Sequence, residues 1–240
     1  MAEKVALVTG ANRGLGLGCA TKLAEMGYQV CLVGRKANEL EKITSDLKAK
    51  GYKAGFLLAD VSKEDEIKKL KSAFDKNYSH LDILINNAGV FSETMDFSKP
   101  ELVLASLVDS KILKETFETN TLSAYRMIQA FLPLFKKQGS GKIVNVSSGL
   151  GQLSEMDANW PAYRISKTAL NAVTKIFAAE VKDTKIKINS VCPGWVKTDM
   201  GGAGATRELE EGVNSILWPA LIDDNGPTGG FFRDGKAISW

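Results

Sequence analysis

Histidine is nearly missing from this chain: one residue, His80, in 240. It sits in a polar stretch, Asn77-Tyr-Ser-His80, that reads as a solvated loop. A Ser-His-Asp hydrolase needs a histidine beside its nucleophile, and no Gly-x-Ser-x-Gly elbow occurs. Cysteine is scarce too. Cys19, Cys31 and Cys192 are odd in number, widely spaced and free of any Cys-x-x-Cys. With one histidine they make no metal-ligand set, so no metal is expected. Buried free thiols in a reducing compartment fit better. No apolar run reaches membrane-spanning length, and the first one, ending at Gly10, is too short for a signal-peptide core. A cytoplasmic location without membrane contact is the expectation. An excess of one charge sign is also lacking. Lys and Arg total 31 against 28 Asp and Glu, a net charge of +3. The two signs interleave, as in Lys63-Glu-Asp-Glu-Ile-Lys-Lys69, which describes solvated helix faces; a net charge this small gives no argument for a nucleic-acid partner, and none is expected.

What remains is ordinary globular composition, 44% hydrophobic and 25% charged, in a length that suits one domain over residues 1–240. Short apolar runs alternate with helical periods. Val5–Thr9, Val30–Val33, Phe56–Ala59, Ile83–Ile85, Lys142–Val146 and Ile186–Val191 read as strands covered on both faces. Between them Leu40, Ile43 and Leu47 share a helix face, as do Ile67, Leu70 and Phe74. Ser62 followed by Asp65 resembles a capping box. The alternation predicts an α/β fold: a doubly wound parallel sheet of Rossmann type, in three α/β/α layers. Ligands on such sheets sit at the carboxyl ends of the strands. Residues 90–111 and the glycine-rich residues 194–212 are irregular and follow strands, so both border that end. The apolar stretch through Ala124, Met127, Phe131 and Phe135 suits core, interface or both.

Thr9-Gly10-Ala-Asn12-Arg13-Gly14-Leu15-Gly16 follows the first strand and opens a helix. Glycines permit a tight turn and close approach to a pyrophosphate, and the helix start supplies free N–H groups. A second near-motif, Gly230-Phe-Phe-Arg-Asp-Gly235-Lys236, lacks the hydroxyl residue of a P-loop, with Ala237 in its place. At the end of the second strand an acid would hold the ribose of NAD. Here stand Val33-Gly34-Arg35, and Arg13 lies in the glycine turn. Guanidinium groups match a 2′-phosphate, so NADPH/NADP+ is expected and NADH is less favoured. Asp60 and Val61, after the third strand, are candidates for the adenine edge.

Tyr163 and Lys167 are four residues apart and share a helix face. A fixed cation favours the phenolate and lowers the tyrosine pKa, which makes the pair a proton donor for a developing alkoxide. Upstream, Ser147-Ser148-Gly ends a strand, and alternation lets only one serine face a site.

These residues in order resemble the short-chain dehydrogenase/reductase family over nearly the whole chain. The resemblance rests on Thr9-Gly-x-x-x-Gly14-x-Gly16, Asp60, Asn86-Asn87-Ala88-Gly89, Asn120, Ser148, Tyr163-x-x-x-Lys167 and Pro193-Gly194. Within the family the chain is most similar to NADPH-dependent carbonyl reductases, through Cys192-Pro-Gly-Trp-Val-Lys-Thr-Asp-Met200, Glu210-Glu-Gly212 and Gly226-Pro-Thr-Gly-Gly-Phe-Phe232. The resemblance implies reduction of a ketone, aldehyde or quinone carbonyl, with Tyr163 as general acid. Ser148, chosen over Ser147 by the family's Ser-x-x-Gly, would hold the substrate oxygen. Lys167 would also bond the nicotinamide ribose, and Asn120 would hold a water that relays protons to it. Asn87, Ala88 and Gly89 would line the cofactor; Pro193, Gly194, Val196 and Thr198 would flank the nicotinamide. Phe91, Met95, Trp160, Trp195 and Met200 are candidates for an apolar substrate pocket. Some carbonyl reductases carry a long insertion before the tyrosine that goes with monomers; the short Ser148-to-Tyr163 segment here leaves a homo-oligomer open. The segment from Val90 to Asn120 is longer than the family's usual one. Two alternatives stay open: a 3-oxoacyl thioester reductase of the same family, and a catalytically silent NADPH-sensing protein.

Overall fold

The computed structural model describes residues 3–96 and 98–240. Strands and helices alternate: β1 (Val5–Thr9), α1 (Gly14–Glu25), β2 (Gln29–Gly34), α2 (Ala37–Ala49), β3 (Ala54–Leu58), α3 (Glu64–Asn77) and β4 (Ile83–Asn86). Then follow α4 (Ser110–Phe117), α5 (Ser123–Gln138), β5 (Ser140–Val146), α6 (Pro161–Glu180), β6 (Lys185–Val191), α7 (Leu209–Ala220), β7 (Phe231–Arg233) and β8 (Lys236–Ala237). One sheet runs in the order β3-β2-β1-β4-β5-β6-β7-β8, parallel except for the β7–β8 pair.

Side chains alternate across this sheet, and in β1, β2, β4, β5 and β6 nearly all are buried on both faces, whereas the edge strand β3 is half-buried with Leu58 exposed. Val5 and Leu7 of β1 join one core with Phe74 of α3, Phe131 of α5 and Phe177 of α6. Ala6 and Val8 join the other with Leu23 of α1, Leu40 of α2 and Val213 of α7. A period of two with no solvent face is why these strands read as continuous apolar runs. Ala124, Met127, Phe131 and Phe135 are all buried, which assigns that stretch to the core. Among the described residues, no helix is long and apolar enough to cross a membrane.

One expectation is corrected. Ser62 and Asp65 form no capping box: α3 starts after Lys63 without a side-chain cap, and the Ser62 hydroxyl turns back to donate to Asp60 Oδ1 at 2.7 Å. The capping box lies instead at α7, between Glu208 and Glu211. The phosphate-like run Gly230–Lys236 builds β7 and its turn into β8, with Asp234 and Gly235 both at positive φ.

The chain winds from β1 outward to β3, then crosses back to place β4 on the other side of β1. That reversal opens a crevice at the carboxyl ends of β1 and β4. Asn87 ties its two sides, donating through Nδ2 to Thr9 O at 2.9 Å and Gly10 O at 3.2 Å. Thr9 Oγ1 accepts from the N–H groups of Asn87 and Ala88, each at 3.0 Å.

Candidate active site

A single cleft of about 1530 Å³ runs along the carboxyl ends of the strands, from the glycine turn to Tyr163. At the turn end, Gly10 has φ +63°, and a Cβ there would stand 3.0 Å from Ala88 Cα. Only glycine meets both demands. Gly14, Leu15, Asn12 and Arg13 line the cleft, but Gly16 does not. A Cβ at Gly16 would stand 2.4 Å from Gly10 O and 2.5 Å from Asn87 Nδ2, so this glycine lets α1 pack under the turn. Helix α1 begins with no side-chain cap and no acid in its first turn. Its leading N–H groups are left for a ligand, with the positive end of the dipole behind them.

The two arginines expected near a 2′-phosphate border this end and are exposed. Arg13 Nη1 meets Asp199 at 2.5 Å, and Arg35 Nη1 lies 3.9 Å from Asp60. The surroundings are less acid-free than the strand-end residues suggest. Glu39, one turn into α2, lines the same wall and accepts from Asn12 Nδ2 and Lys36 Nζ, both at 2.7 Å. Those two bonds hold its carboxyl below the usual range. Asp60 accepts from the Ser62 N–H and hydroxyl; burial opposes ionisation there, but these bonds with Arg35 and Lys63 outweigh it and keep the carboxyl low. Val61 is buried against the sheet, and Ala88 and Gly89 continue the wall.

At the other end α6 brings Tyr163 and Lys167 to the cleft beside Ser148 at the end of β5. Helix α6 is fixed to the sheet by a buried polar chain. Asn86 Nδ2 donates to Asn145 Oδ1 and Asn145 Nδ2 to Thr174 Oγ1, each at 2.8 Å; the Thr174 and Ser190 hydroxyls meet at 2.7 Å. Every link in this chain is made, although Asn86 Oδ1 is left without a partner, and buried networks of this kind fix one register of helix on sheet. Ser147 is buried and donates to Lys167 O at 3.3 Å, while Ser148 stands half-buried on the cleft.

Lys167 is 4% exposed and its Nζ donates to Val146 O at 2.8 Å, 5.6 Å from the centre of the Tyr163 ring. Burial pushes its pKa down to about 8. Burial also pushes the Tyr163 phenol up to about 12, against a smaller pull from the Ser148 hydroxyl and with added repulsion from the Cys192 and Glu93 charges. The direction is opposite to that expected from the Tyr–Lys spacing. The ammonium donates to a carbonyl and is itself desolvated, so its attraction for the phenolate is outweighed by the loss of water around the phenol.

Asn120 lies behind the cleft wall, 1% exposed, in a π-turn at Glu118–Leu122 that joins α4 to α5. Its Nδ2 donates to Val90 O at 2.9 Å and Ser166 Oγ at 3.0 Å, and its Oδ1 accepts from Val90 N at 2.7 Å. These bonds clasp β4's exit to α6. A Cβ built at Gly89 would stand 3.2 Å from Asn120 Oδ1 and 3.5 Å from Lys167 Nζ. The Asn120 amide and the ammonium thus flank one glycine.

The long segment after Gly89 is strapped to the start of α6. Glu93 is 5% exposed, and its carboxylate accepts from Ala162 N at 2.7 Å and Tyr163 N at 3.1 Å. It caps α6 from outside, at a point where Trp160 has φ 56° and Pro161 has no N–H to offer. Burial raises the Glu93 pKa. Trp160 Nε1 donates to Thr94 O at 2.8 Å, and its N–H to Val103 O at 2.7 Å. Phe91 packs edge-on against Tyr163, ring centres 4.8 Å apart. Met95, Trp195 and Met200 line the cleft and are 44%, 43% and 48% exposed. The Trp195 indole donates to Gly201 O at 2.8 Å, which folds the 194–212 segment back on itself. Pro193, Gly194, Val196 and Thr198 line the middle of the cleft.

Cys19, Cys31 and Cys192 are all buried and unpaired. Cys192 reaches the cleft; its Sγ accepts from Gly149 N at 3.1 Å and Gly194 N at 3.4 Å. His80 lies at the other end of the sheet, beside Glu3 and Asp82.

A doubly wound sheet with a glycine turn at its switch point and a Tyr–Lys helix across the cleft defines a nucleotide-dependent oxidoreductase class. Residues 4–208 match the sequence profile described as short chain dehydrogenase, and the chain belongs to that family. It is 29% identical to (+)-neomenthol dehydrogenase of Arabidopsis thaliana over 100% of this chain and 99% of that protein. It is 29% identical to carbonyl reductase [NADPH] 1 of Mus musculus over 98% of each. Among solved structures, the carbonyl reductase Sniffer of D. melanogaster superposes with TM-score 0.84 at 30% identity, covering 100% of both chains. The NADPH-bound carbonyl reductase from chicken fatty liver does so with TM-score 0.84 at 28% identity, again over 100% of both.

Proposed function

We propose that the protein reduces a ketone, aldehyde or quinone carbonyl with NADPH. One observation carries the reading: Ser148, Tyr163 and Lys167 converge at one end of a continuous cleft whose other end is the uncapped glycine turn. The residues fit the cofactor. Free N–H groups at α1 suit the pyrophosphate, and Arg13 and Arg35 suit a 2′-phosphate. Arg13 pairs with an exposed carboxylate, a kind of pair worth little, and the exposed Arg35 lies 3.9 Å from the half-buried Asp60. When bound, the nicotinamide supplies a hydride to the carbonyl carbon.

The chain's own residues do the rest. The Ser148 hydroxyl orients the carbonyl oxygen. Tyr163, its phenol pushed up to about 12, is protonated through the neutral range and gives its proton to that oxygen. The ammonium of Lys167 stabilises the phenolate left behind. With the Lys167 pKa pushed down to about 8, its charge is present below that pH and lost above it. Reduction therefore slows as pH rises through about 8. Asn120 and Glu93 hold α6 at the distance this transfer needs. Support for a carbonyl substrate comes also from the names of relatives that match over their full length.

The test is loss of nicotinamide absorbance with NADPH and, separately, NADH, over quinones, aromatic aldehydes, diketones and a 3-oxoacyl thioester. Turnover with NADPH and a simple carbonyl is expected. Preference for NADH would overturn the reading of Arg13 and Arg35. Activity on the thioester alone would favour the acyl reductase, and NADPH binding without turnover would favour the sensor.

A further inference from the structure

The chain has six arginines, and four of them are ion-paired: Arg13, Arg35, Arg126 and Arg207. Arg164 and Arg233 are the other two. Among the described residues, neither has a carboxylate within 4.0 Å. Both line the catalytic end of the cleft, on either side of the Gly149–Gly151 turn that follows Ser148.

Arg164 is 5% exposed. Its Nε donates to Asn159 O and its Nη1 to Glu155 O, both at 2.8 Å, with Leu150 O at 3.5 Å. The guanidinium carbon lies 5.9 Å from the centre of the Trp160 ring. Carbonyls hold Nε and Nη1, and an aromatic face lies beside the group, without neutralising its charge. Arg233 ends β7 next to β6. Its Nη2 donates to Cys192 Sγ at 3.1 Å, and its Nε is buried with no partner. A Cβ at Gly149 would stand 2.7 Å from that Nη2, so the guanidinium lies directly against the turn beside Ser148. A half-buried guanidinium with an orphaned donor is costly unless something else meets it.

Nearby acids do not cancel these charges. The Glu93 carboxylate is taken by the N–H groups of α6, and Asp234 by Arg207 at 2.7 Å. Glu155 lines the rim with its side chain exposed. A concave site with two uncompensated cations focuses positive potential.

We propose that this end of the cleft selects carbonyl substrates that carry a carboxylate, with Arg233 as the residue that meets it. The proposal rests on the reductase reading and names its substrate class: an oxo acid, or an aldehyde or ketone acid, with an apolar body against Phe91, Trp160 and Trp195. The carbonyl oxygen lies at Ser148 and Tyr163 while the carboxylate reaches across the Gly149–Gly151 turn. Arg164 adds charge and is a positioning residue, since its Nε and Nη1 are bound to the main chain.

The experiment compares 4-carboxybenzaldehyde with its methyl ester, two molecules of nearly one shape that differ in charge. Binding is read by quenching of tryptophan fluorescence in the full-length protein, and turnover by nicotinamide absorbance. The acid is expected to bind about tenfold more tightly than the ester at low salt, the scale of a charge-assisted hydrogen bond. That ratio falls as salt is added and collapses in Arg233→Met. Equal or tighter binding of the ester to the native protein would overturn the proposal, as would a ratio indifferent to salt or to Arg233→Met. The native ratio and its salt dependence decide the matter even if the variant fails to fold. A binding preference without turnover of either compound would sink the reductase reading and leave the anion site standing.

Discussion

At the glycine-turn end of the cleft, the groups that face a ligand are main-chain N–H groups of α1 and two exposed arginines. At the Tyr163 end they are side chains fixed by other side chains from distant parts of the chain. Glu93 reaches α6 across about 70 residues, and Asn120 reaches Ser166 across 46. The first end needs only a local conformation, which a few glycines supply. The second needs the whole sheet to have formed, the 90–111 segment to be strapped down and α6 to be held in register. A recognition site made of backbone tolerates changes around it, whereas proton chemistry demands a geometry that only tertiary contacts can hold.

That contrast can be broken most sharply at Tyr163. Tyr163→Phe removes one hydroxyl from the catalytic end, and kcat/KM should fall by about 10² to 10⁴. NADPH affinity, measured by fluorescence titration, should change far less. Parallel loss of both would mean the two ends are not separable.

A second test uses pH. Reduction by the native protein should decline by about tenfold per unit above the Lys167 pKa of about 8, in a pH profile of kcat/KM. Lys167→Arg lowers activity but keeps its charge, so that limb should move out of the range. A limb that persists would assign it to another group.

At the other end, Arg35→Ser should weaken NADPH by about tenfold and spare NADH, the scale of a charge-assisted contact to phosphate. Equal weakening of both would show that Arg35 meets something other than a 2′-phosphate.

The smallest of these effects probes the strap. Glu93→Ala leaves two buried N–H groups of α6 without an acceptor and should cost about 1–3 kcal/mol. In a chain of this size that is a fall in Tm of about 2–4 °C per kcal/mol. The loss should bring a lower kcat with little change in KM, because Tyr163 loses its backbone anchor. Glu93→Gln, which keeps an acceptor, should recover most of both.

Much of the fold was legible because the sheet is buried on both faces. Six apolar runs between helical periods located β1 to β6 to within two or three residues. The pair β7–β8 was not legible: three residues and two, flanked by glycines, carry no period to read. In the cleft, Tyr163, Lys167 and Ser148 stood out because their spacing or strand-end position is itself the signal. Gly16 and Asn120 carry the same family pattern, yet the structure puts one under the turn and the other behind the wall. Glu93, Glu39, Arg164 and Arg233 gave no sequence signal, since their roles depend on what lies across the cleft. The direction of the Tyr163 shift was misjudged for a related reason. Spacing shows that a cation is near, but not that it is buried and already hydrogen-bonded.

The measurement that tests the account most directly follows a label. NADPH carrying deuterium at the transferring position of its nicotinamide is supplied with an aromatic aldehyde, and the product is examined by NMR. Deuterium on the carbinol carbon with native protein, accumulating at least about a hundredfold more slowly with Tyr163→Phe, is the predicted result. Undiminished label transfer in Tyr163→Phe, or consumption of NADPH with no deuterium in the alcohol, would contradict it.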